Sequence, residues 1–327
     1  LYLLVYLGHV VLADRARRFR KGDPFLGRWL GLVLCRLDLR FCRWIRIEVD
    51  LLNVHEHGAF HRSVGKLQSH RLIHVFENGA ADASGYWWSL PVVAETWDGY
   101  LNDINGFHVT PEHAFAALDA AKGGPVAEGN VGGGTAMNCF EFKCGTGTSS
   151  RVSEAAGESY TVGVLVQANF GRRDDLIVAG VPVGKNLRDD RVFSGDIPDD
   201  EETGSIIIVV GTDAPLLPHQ LKRLARRAAL GLSRTGSIAG NGSGDIFIAF
   251  STANEQANQA SSGVSVETLS NEDIGPLFRA TVQATEEAIT NALVAGRDMT
   301  GNRNNTVAGI DHVQLKRVLR EFKRLEE

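Results

Sequence analysis

Thr203-Gly204-Ser205-Ile206-Ile207-Ile208-Val209-Val210 is the stretch on which the reading of the whole chain turns. A loop rich in Asp and Glu, residues 196–202 with Pro198 inside it, leads to a single glycine. Ser205 follows, and then a β-branched run long enough to be a buried strand. Gly204 has no Cβ, so its carbonyl is open to attack and its backbone is free to take a strained conformation. Attack of Ser205 Oγ on that carbonyl would convert the peptide to an ester, and hydrolysis would leave Ser205 as a new N-terminus. The freed α-amine, with an ordinary pKa of about 7.7–8.0, could then help deprotonate its own hydroxyl. The plain alternative on these residues is a Gly-Ser turn entering a core strand.

The remaining composition narrows the setting. At 327 residues the chain can bury a large core, as one α/β domain or two smaller ones. A net charge of −5 and a pI near 6.1 suggest neither a nucleic-acid partner nor a membrane surface. Cys35, Cys42, Cys139 and Cys144 show no C-x-x-C pair, and no His stands at zinc-ligand spacing near the last two. Reduced thiols in a cytoplasmic protein are therefore expected. No apolar run approaches the roughly 18–20 residues of a membrane span. The apolar start at residues 1–13 imitates a signal-peptide core without a basic segment before it or a clear cleavage site after it.

Residues 1–80 read differently from the remainder. They hold six of the ten histidines, many arginines, a single proline, and neither threonine nor methionine. Apolar residues are frequent there but keep no period of two or 3.6. We read residues 1–80 as a diverged, truncated or mis-framed segment, with a basic extension that binds a partner as the rival.

From residue 80 onward local signals agree with one another. Residues 90–94 predict a short strand, and Thr110-Pro111-Glu112 predicts a helix start running to about Lys122. Gly129-Asn130-Val131-Gly132-Gly133-Gly134-Thr135 lacks the Gly-Lys-Ser/Thr of a phosphate loop and the strand-to-helix setting of a dinucleotide fingerprint. Its glycines fit close backbone passage better. Strands are predicted at 160–169 and 176–179, with Asn169 placed either to cap a turn or to aim its amide at a developing oxyanion. A basic amphipathic helix at 219–232 carries Leu221, Leu224, Ala225, Ala228 and Leu232 on its apolar stripe. Gly240-Asn241-Gly242-Ser243-Gly244-Asp245 precedes a strand at 246–250. Helices at 276–295 and 312–325 close the chain, with no internal repeat.

Several of these segments together carry a resemblance. They are Pro91-Val92-Val93-Ala94-Glu95-Thr96-Trp97-Asp98-Gly99 with Leu101-Asn102-Asp103-Ile104-Asn105-Gly106, the glycine-rich 129–135, and Gly145-Thr146-Gly147-Thr148-Ser149-Ser150-Arg151. Gly204-Ser205-Ile206-Ile207, Thr212-Asp213-Ala214-Pro215-Leu216-Leu217-Pro218-His219-Gln220-Leu221 and Gly242-Ser243-Gly244-Asp245-Ile246-Phe247 complete the set. From about residue 80 to its end the chain resembles the L-aminopeptidase/D-esterase family, DmpA-like, which includes the β-peptidyl aminopeptidases.

The resemblance implies an α/β fold of α+β layering, an αββα sandwich like that of the Ntn hydrolases but differently connected. It implies self-cleavage between Gly204 and Ser205. Residues 81–204 would then be the remainder of an α-subunit and 205–327 a β-subunit of one domain. The two pieces would stay together and commonly assemble as a tetramer of pairs. By motif, Ser205 would be the nucleophile, Ser243 a proton-transfer partner, Asp245 their orienting acid and Asn169 the oxyanion donor. Glu95 would receive the free amino group of a small peptide, amide or ester substrate, with Trp97, Gly133 and Gly134 lining the site. Two departures stand out: Asp245 where family members can carry glutamate, and Trp97 where tyrosine is expected, which removes a hydroxyl. Such acyl transfer calls for no metal or cofactor. An acyltransferase of the ornithine-acetyltransferase type shares the architecture but uses threonine as nucleophile. A non-catalytic scaffold protein is the reading from another class, motivated by residues 1–80 and Trp97.

Overall fold

The computed structural model describes residues 2–5, 92–110, 112–113, 116–117, 120–188, 204–254, 257 and 263–325. Its centre is a four-stranded sheet ordered β5-β6-β7-β8, made of β5 (Thr146–Ala155), β6 (Glu158–Asn169), β7 (Ser205–Thr212) and β8 (Ile246–Ser251). β6 runs antiparallel to both β5 and β7, whereas β7 and β8 are parallel. Smaller antiparallel pairs flank it: β1 (Tyr2–Val5) with β2 (Val92–Glu95), β3 (Asn138–Cys139) with β4 (Phe142–Lys143), and β9 (Met299–Thr300) with β10 (Thr306–Val307).

Sequence dictates the sheet plainly in places. The β-branched run of β7 is buried on both faces from Ile206 onward, as a strand between two layers must be. Between β5 and β6 the chain reverses at Ala156-Gly157, both with positive φ of 51° and 83°. That is the two-residue turn whose twist suits a hairpin. The crossover from β7 to the parallel β8 is made by α1 (Pro218–Arg234). Pro218 opens α1, and Leu224, Ala228 and Leu232 are its buried stripe, as the amphipathic pattern predicts, joined by Gln220 and Gly231.

Helix α2 (Gly275–Val294) lies beside α1 on the same face of the sheet, and α3 (His312–Glu321) packs Leu315 and Val318 into the same core. Ala280, Ala284, Ala288 and Ala292 of α2 share that core with Val164, Val166 and Ala168 of β6 and Ile206, Ile208 and Val210 of β7. Alanine at every fourth position lets the helix approach closely. The approach is tight enough that a Cβ on Gly147 of β5 would fall 2.0 Å from the Ala288 carbonyl oxygen. On the opposite face Leu165, Gln167, Asn169, Ile207 and Val209 are also buried. There the segment after β2 crosses the sheet, with Gln167 Nε2 donating to Thr96 Oγ1 at 2.8 Å. The chain thus forms an α+β layered fold with the central sheet covered on both sides.

Two expectations are corrected. Residues 176–179 are not a strand: Val178 bridges Val181 across Ala179 and Gly180, both at positive φ, so the apolar run is a tight turn. Cys139 and Cys144 are not free thiols but a disulfide, because the β3–β4 hairpin brings their Cα atoms to 5.6 Å. The run 145–151, quoted only for its motif, lies within the hairpin strand β5 apart from Gly145. The helix predicted from Thr110 to Lys122 lies largely outside the described residues, as does the acidic loop before Gly204. Among the described residues no helix is long and apolar enough to cross a membrane.

Candidate active site

Three strand ends meet at Ser205. Antiparallel pairing sets Asn169, the last residue of β6, directly opposite Ser205, the first of β7. Parallel pairing of Ile207 with Ile246 brings the start of β8 to the same edge. Gly244 and Asp245 therefore stand beside Ser205 and Ile206. The turn that delivers them is closed by Ser243 N donating to Gly240 O at 2.9 Å.

The hydroxyl of Ser205 donates to the Gly204 carbonyl at 2.7 Å and accepts from the Gly244 N–H at 3.1 Å. The Ser205 hydroxyl thus lies against the peptide that precedes it, held from the other side by a backbone donor. Gly204 is required here by space: a Cβ would sit 2.4 Å from Asn169 O and 2.7 Å from Phe170 Cα. The strained conformation suggested from sequence is absent, since Gly204 is not among the positive-φ residues. Gly244 is less confined: its Cβ would stand 3.1 Å from Ser205 Oγ.

Asp245 Oδ1 accepts two hydrogen bonds, from Ser243 Oγ at 2.5 Å and from Ile206 N at 3.1 Å. Oδ2 is buried without a partner among the described residues. Ser243 is therefore paired with Asp245 rather than with Ser205. Asn169 is fixed at both ends of its amide: Oδ1 accepts from Asn138 N at 3.0 Å, and Nδ2 donates to Trp97 O at 2.8 Å.

Of the other residues singled out from sequence, one contacts this cluster. Trp97 reaches Asn169 through its backbone carbonyl, while its side chain is 59% exposed and packs over Gly99. The Glu95 side chain lies outside the described residues; its backbone ends β2. Gly133 and Gly134 are buried in a 3-10 turn, and a Cβ on Gly134 would meet Thr146 N at 2.3 Å. Backbone passage, not phosphate binding, explains that glycine.

Two participants escaped the sequence reading. One is the Gly244 N–H, which no side-chain pattern reveals. The other is Lys143, wholly buried with Nζ donating to the carbonyls of Gly134 at 3.2 Å, Met137 at 2.9 Å and Cys144 at 2.5 Å. Burial pushes its pKa down to about 7. Lys143 stands in Met137-Asn138-Cys139-Phe140-Glu141-Phe142-Lys143-Cys144, where the flanking Phe142 and Cys144 are apolar, but Asn138 and Glu141 in the same stretch blur that signal. Among the described residues no cluster of three or more His, Cys, Asp or Glu could hold a metal ion.

With this geometry in view, the sequence profile of Peptidase family S58 matches residues 51–307. The chain belongs to peptidase family S58. The match begins at residue 51, within the compositionally distinct segment 1–80 and before the motifs that carry the resemblance. Over 251 residues the chain is 55% identical to β-peptidyl aminopeptidase BapA of Sphingosinicella microcystinivorans, covering 73% of this chain and 63% of that protein. BapA of Sphingosinicella xenopeptidilytica is 52% identical over 240 residues, 71% of this chain and 60% of that one. The chain thus spans less than two thirds of the length of these curated relatives. Among solved structures, the L-aminopeptidase D-Ala-esterase/amidase of Ochrobactrum anthropi superposes with a TM-score of 0.73 at 44% identity, covering 80% of this chain and 71% of that one. It is described as a prototype of the serine aminopeptidases and a new variant among the Ntn hydrolase fold. A Burkholderia sp. β-aminopeptidase gives 0.69 at 43% identity, over 81% and 72% of the two chains. The layered α+β architecture of the chain is that Ntn-hydrolase variant, as its sequence implied.

Proposed function

We propose that this S58 chain is a self-processing serine aminopeptidase that cuts itself between Gly204 and Ser205 and then releases N-terminal residues from small peptides, amides or esters. The observation that carries the reading is the Ser205 hydroxyl resting on the Gly204 carbonyl with the Gly244 N–H holding its oxygen. In the first reaction Oγ bonds to the Gly204 carbonyl carbon, its proton passes to the Ser205 nitrogen, and the C–N bond breaks. Water then cleaves the resulting ester, leaving a Gly204 carboxylate and a free Ser205 amine. In the second reaction that amine takes the hydroxyl proton as Oγ attacks a substrate carbonyl, and returns it to the departing amine or alcohol; water then hydrolyses the acyl ester, freeing the residue as its acid and restoring the Ser205 hydroxyl.

Asn169 Nδ2 supplies the oxyanion donor, exchanging part of its bond to Trp97 O for the developing charge. Asp245 fixes Ser243 for proton transfer and, through Ile206 N, the nucleophile's own strand. Glu95 receives the substrate ammonium as a charge-assisted contact, beside Trp97 and the 133–134 turn. Residues 81–204 and 205–327 form the two subunits. They stay together because β6 and β7, one from each side of the cut, share an eight-pair ladder from Val162↔Thr212 to Asn169↔Ser205. A tetramer of such pairs belongs to this reading. A cytoplasmic location loses its support from cysteine usage with the Cys139–Cys144 pairing.

Intact-mass analysis and p-nitroanilide hydrolysis by the full-length protein test the proposal together. Parent protein should appear as two chains split before Ser205 and should turn over aminoacyl or β-aminoacyl anilides. Ser205→Ala should stay whole and inactive; a whole Ser205→Ala protein with parental turnover would overturn the reading.

A further inference from the structure

The peptide group between Met137 and Asn138 is gripped from both sides. Its N–H donates to Asn169 Oδ1 at 3.0 Å, and its C=O accepts from Lys143 Nζ at 2.9 Å. We infer that Lys143 is a positioning residue for the oxyanion donor, acting on Asn169 through the Met137–Asn138 peptide. The inference rests on the reading of Asn169 given above and adds to it a residue that touches neither nucleophile nor substrate.

The placement of Lys143 is over-determined, which makes it suited to that role. β3 pairs with β4 so that Asn138 stands opposite Lys143. Lys143 N donates to Ala308 O at 2.7 Å, and Gly296 packs so closely that a Cβ there would lie 1.9 Å from Lys143 O. From this fixed backbone the side chain turns back into the hairpin, where its amino group reaches three carbonyls and, among the described residues, no carboxylate. An amino group donating to a peptide oxygen draws electron density toward it and makes the N–H on the same peptide a stronger donor. That N–H then holds Asn169 Oδ1, so the amide plane is set and Nδ2 points along one direction only. An unpaired buried lysine is costly, and filling this space would need only an aliphatic chain. The amino group is retained where, together with the Cys144 N–H that reaches Met137 O at 3.2 Å, it orders the peptide that holds Asn169 Oδ1.

The test is a double-mutant cycle in the full-length protein with Lys143→Met and Asn169→Ala, singly and together. Three quantities are read: the rate of self-cleavage, kcat and KM on an aminoacyl p-nitroanilide, and the affinity of an aminoaldehyde analogue whose adduct carries the oxyanion. Loss of an oxyanion donor costs on the order of 10²–10³ in kcat, so Asn169→Ala should fall in that range and Lys143→Met should lose about tenfold or more. KM should stay within about twofold, the aldehyde should weaken by the same factor as kcat, and Lys143→Met should add nothing in the Asn169→Ala background. A merely structural lysine predicts losses that multiply in the double variant, and that result, or parental kcat in Lys143→Met, would overturn the inference while leaving the aminopeptidase reading intact. Parental activity in Asn169→Ala would overturn both. Should Lys143→Met not fold, Lys143→Gln, which keeps amide donors but shortens the reach, is judged by the same criteria.

Discussion

Held uncut by Ser205→Ala, the chain allows the cost of burying Lys143 to be read as a pH dependence of stability. Burial lowers the pKa of this amino group from its ordinary 10.5 to about 7 in the folded protein. Between those values the unfolded chain binds a proton that the folded chain does not, so stability rises with pH across the window. The contribution is fully present above pH 10.5 and is lost as the pH falls through 7. At about 1.4 kcal/mol per unit, the full interval amounts to about 5 kcal/mol. Over the accessible range from pH 7 to 9.5 the change is about 3 kcal/mol. The three carbonyls oppose the shift, because they match the three N–H bonds of the ammonium; a neutral amine can serve only two of them. Gly134 O, the most distant at 3.2 Å, is the one to be released. Urea unfolding of the Ser205→Ala chain with and without Lys143→Met, at several pH values, isolates the term, since other titrating groups cancel in the difference. The parent-minus-variant stability should climb by about 2–3 kcal/mol from pH 7 to 9.5. A difference that stays flat within about 0.5 kcal/mol over that range would refute a depressed Lys143 and leave it an ordinary ammonium.

Two glycines give sharper steric predictions. Gly204→Ala puts a Cβ 2.4 Å from Asn169 O, so the β6 and β7 ends must part by most of an ångström; self-cleavage followed by mass should slow at least about a hundredfold, and parental processing would contradict the close approach. Gly244→Ala asks for only a few tenths of an ångström, since its Cβ would meet Ser205 Oγ at 3.1 Å. It should fold and melt like the parent while losing roughly tenfold in kcat, and unchanged kcat would remove the Gly244 N–H from the mechanism.

The legible parts of this chain are those where one residue type serves one local purpose. The β-branched run of β7, the proline entries to α1 and α2 and the alanine and leucine stripes all appear in the structure within a residue or two. Residues 176–179 misled because four apolar residues cannot reveal that the third and fourth of Val178-Ala179-Gly180-Val181 turn back on the first two. The disulfide was hidden for a related reason: a spacing of five residues becomes a bridge only once a hairpin folds it. At the candidate site, motifs single out Ser205, Asn169, Ser243 and Asp245, and the structure brings Asn169 and Asp245 to the same sheet edge as Ser205. The Gly244 N–H and the Met137–Asn138 peptide are not singled out, because backbone donors have no letter of their own.

The aspartate at 245 shows how topology can compensate for a shorter side chain. A glutamate could reach a nucleophile from farther along the loop, and Asp245 has one methylene fewer. Yet Asp245 immediately precedes β8, and the parallel register lays Ile246 beside Ile207. Its carboxylate is thereby carried to the backbone N–H of Ile206, the residue that follows Ser205, at 3.1 Å. The same oxygen holds Ser243 at 2.5 Å. One short acid thus ties the start of β7 to the turn before β8, and a longer side chain would have to fold back to make both bonds. The departure from glutamate therefore still allows the acid to reach Ser243 and the Ile206 N–H: in this chain it is the strand register, more than the length of the side chain, that delivers it.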